Sequence, residues 1–514
     1  MSFTDLIKRG FGIAKAGKAL RDTRSDDAAK RDRARHYLVT LLGRSRGLAA
    51  KVGQLMTLDG QDLELRETLN AAMAPMPFGE VEQRLAEVYG KPHTDIFRSL
   101  EKTGRAASLG QVHFGKLKDK RAVAVKIQYT GIARAVEAEL QLLGFLPRVG
   151  PVAKWGFNLE GYRDVFWNKF SEELDYGREV RNQQRYRQLA APLDDVVVPE
   201  VVTELCRPTV LAQSREDGQS LDRCEKMSTA RRRAAGRVLL RHYLYMIFHC
   251  GFVHSDPHPG NFAFRCLGED RVELIVYDYG SILEIPDAMR LALLRTILAL
   301  REHEDLDPAA CLAGLGFDVE KLQDLRPTLP ALLQVLFDPF ITDAPYDVND
   351  WRISERFANI VGELKWWFRS AAPPVLIFLM RTLQGLVAMI HRLNVKLPWG
   401  FLIDRSCGDI YPQAREHRLP AVAPASGPAP GFGNIARYLK IDVKKADGNK
   451  VWLTMPARVA DDLEGIIDPP VKQSIARQGI DLQEIQDRVC RSGFVPQTVF
   501  EVEDTERRVR VWLE

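Results

Sequence analysis

The sequence predicts an α+β protein of several domains, and three observations carry that prediction. Period-two apolar alternation, the signature of strands, is confined to short segments within residues 106–128, 196–214 and 272–278 and to the last part of the chain, 434–514. Helical periodicity fills most of what lies between. A Pro/Ala/Gly-rich run, LPAVAPASGPAPGFG (Leu419–Gly433), separates a long body from a short tail and reads as a linker. With 514 residues there is room for roughly two to four domains.

Composition excludes several classes. A chain that is 46% hydrophobic and 27% charged is an ordinary globular one, not disordered or fibrous. A net charge of +4 is small for this length and does not predict a nucleic-acid binder. The seven cysteines are odd in number and include no C-x-x-C pair. They fit reduced thiols in a cytoplasmic compartment better than a disulfide framework or a zinc site. The N-terminal segment lacks the compact apolar core and cleavage site of a secretory signal. No window offers about 18 uninterrupted apolar residues. The nearest, PPVLIFLMRTLQGLVAMIHRL from Pro373, is broken by Arg381 and Gln384 and reads as a core helix.

Each element follows from local pattern. Residues 1–35 are basic and loosely amphipathic, with Phe3, Leu6, Ile7 and Phe11 among Lys8, Arg9 and Lys15. They read as a helix packing on its own domain or one lying on an anionic membrane as a peripheral contact. The pattern stays helical from His36 to about Leu100. ASLGQVHFGKL and RAVAVKIQ are two strands joined by the charged turn LKDKR. Helical pattern resumes from Ile132 to Leu189, and VVVPEVV and PTVLAQS are short strands. RRRAAGRVLLRHYLYMIFHCG is a helix that Gly251 stops. VELIVYD is a strand, and 286–415 is mostly helical. In the tail, YLKIDVKKADGNKVWLTM is a hairpin about Asp447 and Gly448. Two helical stretches and a second hairpin, FEVEDTERRVRVWL, follow.

The chemistry concentrates in GFVHSDPHPGNFAF (Gly251–Phe264) and in the aspartate that ends the next strand, Asp278. Pro257, Pro259 and Gly260 shape a loop that limits chain freedom, and His254 helps to hold it. Asp256 and Asn261 stand on that loop. Two carboxylates and an amide are the oxygen donors a hard cation takes. Their order is that of a kinase-type site, with Asp256 as the catalytic carboxylate and Asn261 and Asp278 as metal ligands. Such a site also needs a cation for phosphates. Lys126, in VAVKIQ, sits on a strand between apolar neighbours, where a lysine is costly unless paired. A snorkelling edge-strand lysine is the plainer alternative. Glu179, in ELDYGREVRN, is the candidate partner.

These segments resemble the UbiB/AarF/ADCK family of atypical protein-kinase-like proteins over roughly residues 40–400. KVGQ (Lys51–Gln54) is similar to its K-x-G-Q motif, and RAASLGQVH (Arg105–His113) to its Ala-rich loop, which includes Ala106, Ala107 and Ser108. VAVK is similar to its nucleotide-binding lysine strand. ELDYGREVRN is similar to its E-x-D segment, placing Glu173 and Asp175. HSDPHPGN and DYG are similar to its catalytic and metal-binding motifs. The resemblance implies a bilobal protein-kinase-like fold that binds ATP and Mg²⁺. In it Lys126 would contact the phosphates, Glu179 would hold Lys126, and Lys51, Gln54, Glu173 and Asp175 would form a lid contact. It further implies that the K-x-G-Q helices cover the entry of a protein substrate. The expected activity is therefore ATP hydrolysis or action on a small or lipid acceptor, in isoprenoid-lipid metabolism of the ubiquinone type. The corresponding division is an N-terminal helical extension (1–100), an N-lobe (101–218), a helical C-lobe (219–415), a linker (416–433) and a small α+β domain (434–514).

Three departures from the family pattern stand out. Arg105 replaces an alanine, adding charge beside the phosphates. Ser214, in VLAQSREDG, replaces a glutamate in the segment linking the lobes. The chain also closes with a small domain rather than spanning helices. Alanine cannot adopt positive φ as glycine does, so nucleotide geometry should differ from that of Gly-rich-loop kinases. A small-molecule phosphotransferase of the aminoglycoside or choline kinase type, and a nucleotide-gated scaffold without turnover, are the alternative readings. The partners expected are ATP, an isoprenoid-type lipid or lipid–enzyme complex, and a protein partner for the C-terminal domain. Nucleic acid is not among them.

Overall fold

The computed structural model describes residues 76–107, 109–132, 174–362, 371–423, 436–445, 450–463, 478–492, 494–503 and 507–514, with residues 172, 368, 467, 472, 475 and 476 between them. Lys51, Gln54, Ser108, Glu173, the N-terminal amphipathic segment and the Asp447–Gly448 turn lie outside the described residues. The chain divides into two compact units. One gathers residues up to Lys226 with His254–Ile282 and Arg381–Gly385; the other gathers Met227–Val253, Leu283–Met380 and Leu386–Glu514.

The first unit opens with helix α1 (Phe78–Tyr89), preceded by Pro77 and closed by Gly90. A sheet follows, formed by β1 (Phe97–Leu100), β2 (Arg105–Ala106), β3 (Gly110–Leu117), β4 (Ala122–Gln128) and β6 (Val210–Ser214), with spatial order β1-β3-β4-β6 and β2 against β3. All these pairings are antiparallel. Alternation decides which side chains are buried. Val123, Val125 and Ile127 of β4 join Leu117, Phe97 and the α1 residues Val81 and Leu85 in one apolar core. Each such side chain contributes about 1.5–3 kcal/mol when fully buried. Ala124 and Lys126 are then left on the opposite face.

Helix α2 (Tyr176–Leu189) follows Asp175, whose side chain accepts a hydrogen bond from the Arg178 amide as an N-cap. Its buried residues Tyr176, Glu179, Gln183 and Tyr186 share one helical face. After the short β5 (Val196–Val197) and α3 (Leu221–Cys224), the unit returns with β8 (Phe262–Cys266) and β9 (Val272–Val276), in the order β5-β9-β8. The strands β7 (Phe252–His254) and β10 (Ile282–Glu284) form a two-stranded sheet.

The second unit is largely helical: α4 (Thr229–Tyr245), α5 (Asp287–Glu302), α6 (Pro308–Gly314), α7 (Leu329–Ile341), α8 (Ile353–Val361), α9 (Pro374–Leu393), α10 (Trp399–Cys407) and α11 (Tyr411–Glu416). A π-turn, Met246–Cys250, extends α4, and Gly251 ends it at φ +58°. A Cβ at Gly251 would stand 2.5 Å from the Ile285 carbonyl oxygen, so glycine is needed for space as well as conformation. Helix α9 is long and apolar enough to cross a membrane by length and composition. Its residues Leu379, Thr382, Leu386, Met389, Ile390 and Leu393 are buried at helical spacing, the pattern of a helix packing through one face. The tail forms an antiparallel sheet of β11 (Tyr438–Lys445), β12 (Lys450–Pro456), β13 (Gln497–Glu503) and β14 (Arg507–Leu513), ordered β12-β11-β14-β13, with helix α12 (Leu482–Arg491).

The helical reading of His36–Leu100 is corrected at its end, where Phe97–Leu100 pairs with β3 as a strand. Four residues are too few for period two to stand out, and the pairing is tertiary. The short strands β7, β8 and β10 escaped the sequence for the same reason. Between the tail hairpins lie a 3₁₀ turn, Ala457–Asp462, helical residues at 472, 475 and 476, and helix α12.

Candidate active site

Lys126, Glu179 and Asp278 come together in the first unit. The Lys126 ammonium donates to both Glu179 oxygens, at 2.7 and 2.9 Å, and to Asp278 Oδ2 at 3.0 Å. The sheet's alternation aims Lys126 away from the core, and the Asp175 cap starts α2 so that Glu179 meets it. Glu179 is only 3% exposed. The Lys126 nitrogen also lies 5.1 Å from the ring centre of the buried Tyr176. Burial opposes the charge on Lys126, but the carboxylates of Asp278 and Glu179 outweigh it and hold the ammonium above the ordinary lysine range. Burial pushes Glu179 up, to about 7, while Lys126 pulls the other way and Asp278 adds to the rise.

The loop after β7 is built from its own hydrogen bonds. His254 is buried, its ring 5.2 Å from that of Phe262 and 6.1 Å from that of Tyr279. Burial holds its pKa below the ordinary histidine value, which suits a neutral packing ring. Ser255 joins Ser281 through backbone and hydroxyl contacts of 3.0 and 2.9 Å. The Asn261 amide nitrogen donates to the Asp256 carbonyl at 3.0 Å and to Asp256 Oδ2 at 3.2 Å. Its amide oxygen remains the end suited to a cation. The Tyr277 amide donates to the Asn261 carbonyl at 3.0 Å, and the Gly280 amide to Asp278 Oδ1 at 2.9 Å. Asn182 on α2 donates to the Tyr279 carbonyl at 3.1 Å, tying the Asp278 segment to the helix that carries Glu179.

Two residues of this site were not singled out from the sequence. Arg381 of α9 reaches Asp256 Oδ1 at 3.5 Å, so both Asp256 oxygens are engaged. One turn on, a Cβ at Gly385 would lie 2.2 Å from Pro257 Cγ, so glycine allows α9 to lie against the loop. The available signal was a lone arginine inside an apolar helix, which calls for a partner. Of the other expected positions, Asp175 caps α2 and pairs with Arg181 at 3.4 Å. Ala106 pairs with Gln111 between β2 and β3, and the Ala107 amide donates to the Gly110 carbonyl at 2.8 Å. Arg105 turns its guanidinium onto the Phe114 ring. Ser214 accepts from the Glu200 amide at 2.9 Å and contacts Glu216 at 3.2 Å, and Glu216 in turn pairs with Arg265 at 2.6 Å. That segment thus keeps a carboxylate, displaced by two residues.

A partly buried lysine held by a helix glutamate, a strand-end aspartate beside it, and an Asp/Asn loop define a protein-kinase-like protein. Residues 68–308 match the family model of the ABC1 atypical kinase-like domain. The chain is 31% identical over 293 residues to the mitochondrial atypical kinase coq-8 of Caenorhabditis elegans, covering 54% of this chain and 38% of that protein. It is 28% identical over 392 residues to the mitochondrial atypical kinase COQ8B of Rattus norvegicus, covering 74% and 71% respectively. Among solved structures it resembles Rv3197 of Mycobacterium tuberculosis, determined with erythromycin, at a TM-score of 0.52 and 26% identity over 74% of this chain and 97% of that one. These matches support the resemblance to the UbiB/AarF/ADCK family of atypical protein-kinase-like proteins. It spans from about two fifths to about seven tenths of the length of these two curated relatives.

Proposed function

We propose that this protein binds ATP with Mg²⁺ and either hydrolyses it or transfers its phosphoryl group to a small or lipid-linked acceptor, in isoprenoid-lipid metabolism of the ubiquinone type. The contact of Lys126 with Glu179 and Asp278 carries this reading. It joins positions 53 and 152 residues apart into a cation held ready for phosphates, with a metal-binding carboxylate at its side. The donor set fits magnesium. Asp278 and the Asn261 amide oxygen are hard donors, and among the described residues no cluster of three or more His, Cys, Asp or Glu forms a closed protein cage. Magnesium is usually held by one or two carboxylates and completed by water and substrate phosphates. When bound, the ion would neutralise charge on the transferring phosphoryl group. Lys126 would bind phosphate oxygens, and Glu179 would keep it aimed. Asp256, held by Asn261 and Arg381, would orient the attacking hydroxyl or water. The names of the relatives, both atypical kinases, support the same reading. Action on a lipid would bring the protein to a membrane surface as a peripheral contact from the cytoplasmic side.

The test is thermal stabilisation by Mg²⁺–ATP together with phosphate release, measured with and without vesicles carrying an isoprenoid quinone precursor. Stabilisation with lipid-stimulated release is the expected result. Stabilisation without release would leave a nucleotide-gated scaffold, and no nucleotide effect would overturn the reading. Gly385→Ala probes the loop itself. The added methyl meets Pro257 and must shift Asp256, so phosphate release should fall roughly 100-fold. Mg²⁺–ATP stabilisation should persist. Unchanged release would show that α9 does not position the loop.

A further inference from the structure

The face of the sheet that carries Lys126 holds a second feature. Val112 stands opposite Lys126 in the β3–β4 register, and Phe114 opposite Ala124. Side chains alternate along strands, so Phe114 shares the face of Lys126, about 7 Å further along the strand direction. Two guanidinium groups lie on its ring, Arg105 at 4.6 Å and Arg215 at 4.4 Å from the ring centre. They are held differently. Arg215 also pairs with Asp217 at 3.0 Å and with Glu101 at 3.4 Å. Arg105 has no ion pair among the described residues, where its guanidinium rests on the Phe114 ring. The Tyr277 hydroxyl donates to the Glu216 carbonyl at 2.9 Å.

An aromatic ring carrying a loosely held cation is a surface for which a planar base can compete. We propose that Phe114 is the stacking platform for the base of the nucleotide, that the base takes the place of the Arg105 guanidinium, and that Arg215 stays on the ring as a fixed cation. The proposal rests on the nucleotide-binding reading above and adds the residue that distinguishes a nucleotide from a bare phosphate chain. Lys126 serves the phosphates and Phe114 serves the base. A ligand made only of phosphates gains nothing from the ring.

The test is calorimetric titration of the full chain with Mg²⁺–ATP and, separately, with Mg²⁺–tripolyphosphate. Phe114→Leu should weaken ATP binding roughly 10-fold or more and leave tripolyphosphate binding unchanged. Phe114→Trp keeps an aromatic face and should retain ATP binding, which separates stacking from a folding defect. Arg105→Ala removes the competitor and should raise the ratio of ATP to tripolyphosphate affinity by about 2- to 5-fold. Using the ratio cancels the positive charge lost near the phosphates. The proposal is overturned if Phe114→Leu binds ATP like wild type, if it loses both ligands in the same proportion, or if Arg105→Ala lowers the ratio. A wild-type protein that binds neither ligand would instead overturn the nucleotide reading itself.

Discussion

Asp278→Asn is expected to abolish the stabilisation that Mg²⁺–ATP confers and to lower phosphate release by roughly 1,000-fold, the scale on which positioned electrostatic groups act. Asp278 sits beside Lys126 with one oxygen at 3.0 Å from the ammonium and the other on the Gly280 amide at 2.9 Å. Asparagine keeps the shape and the amide contact but loses the charge that a hard cation requires. A ligand at about 100 times its Kd stabilises a single site by about 2.7 kcal/mol, and that increment should vanish. The melting temperature without ligand should change little, which separates loss of the metal site from loss of the fold. A variant that is stabilised by Mg²⁺–ATP as strongly as wild type would remove Asp278 from the metal site.

Lys126→Met should destabilise the folded protein by about 3–5 kcal/mol at pH 8, because it leaves two carboxylates facing each other without their cation. Glu179 is buried, and its pKa already stands at about 7 with Lys126 pulling it down. Without Lys126 it rises further, while in the unfolded chain it returns to about 4.3. The folded variant therefore binds more protons than the unfolded one across this window. Stability contributed by the protonated carboxyl is present at low pH and is lost as pH rises, so the variant should be weaker at pH 8 than at pH 6. Lys126→Met with Glu179→Gln should recover part of the loss and flatten that pH dependence. Urea unfolding at the two pH values measures both effects. A loss below about 1 kcal/mol at pH 8 would show that solvent relaxes the contact despite the burial of Glu179.

Much of this site could be read along the chain because its residues sit in local patterns. The loop residues Asp256, Pro257, Pro259, Gly260 and Asn261 are close in sequence, and Asp278 ends a recognisable apolar run. Lys126 stood out as a charge between apolar strand neighbours. Glu179 was harder to select, since several acidic residues surround it in ELDYGREVRN. Which of them meets Lys126 depends on where α2 begins, and the Asp175 cap decides that. Arg381 and Gly385 could not be assigned from pattern alone. Arg381 lies 125 residues from Asp256 in sequence, and an arginine in an apolar helix announces a need for a partner without naming it.

The sequence by itself determined which residue types stand at the candidate site, because oxygen donors, loop-shaping prolines and a strand lysine are local choices. It also determined the main helices and the longer strands, whose periodicity extends over enough residues to be seen. Tertiary structure alone decided the rest. It made Phe97–Leu100 a strand by pairing it with β3, and it bound Asp256 to Arg381. It also turned Arg105 onto Phe114 beside Arg215. These outcomes depend on register and on close approach between distant segments. A side chain's partner across a sheet or against another helix follows from packing, and no local pattern encodes it.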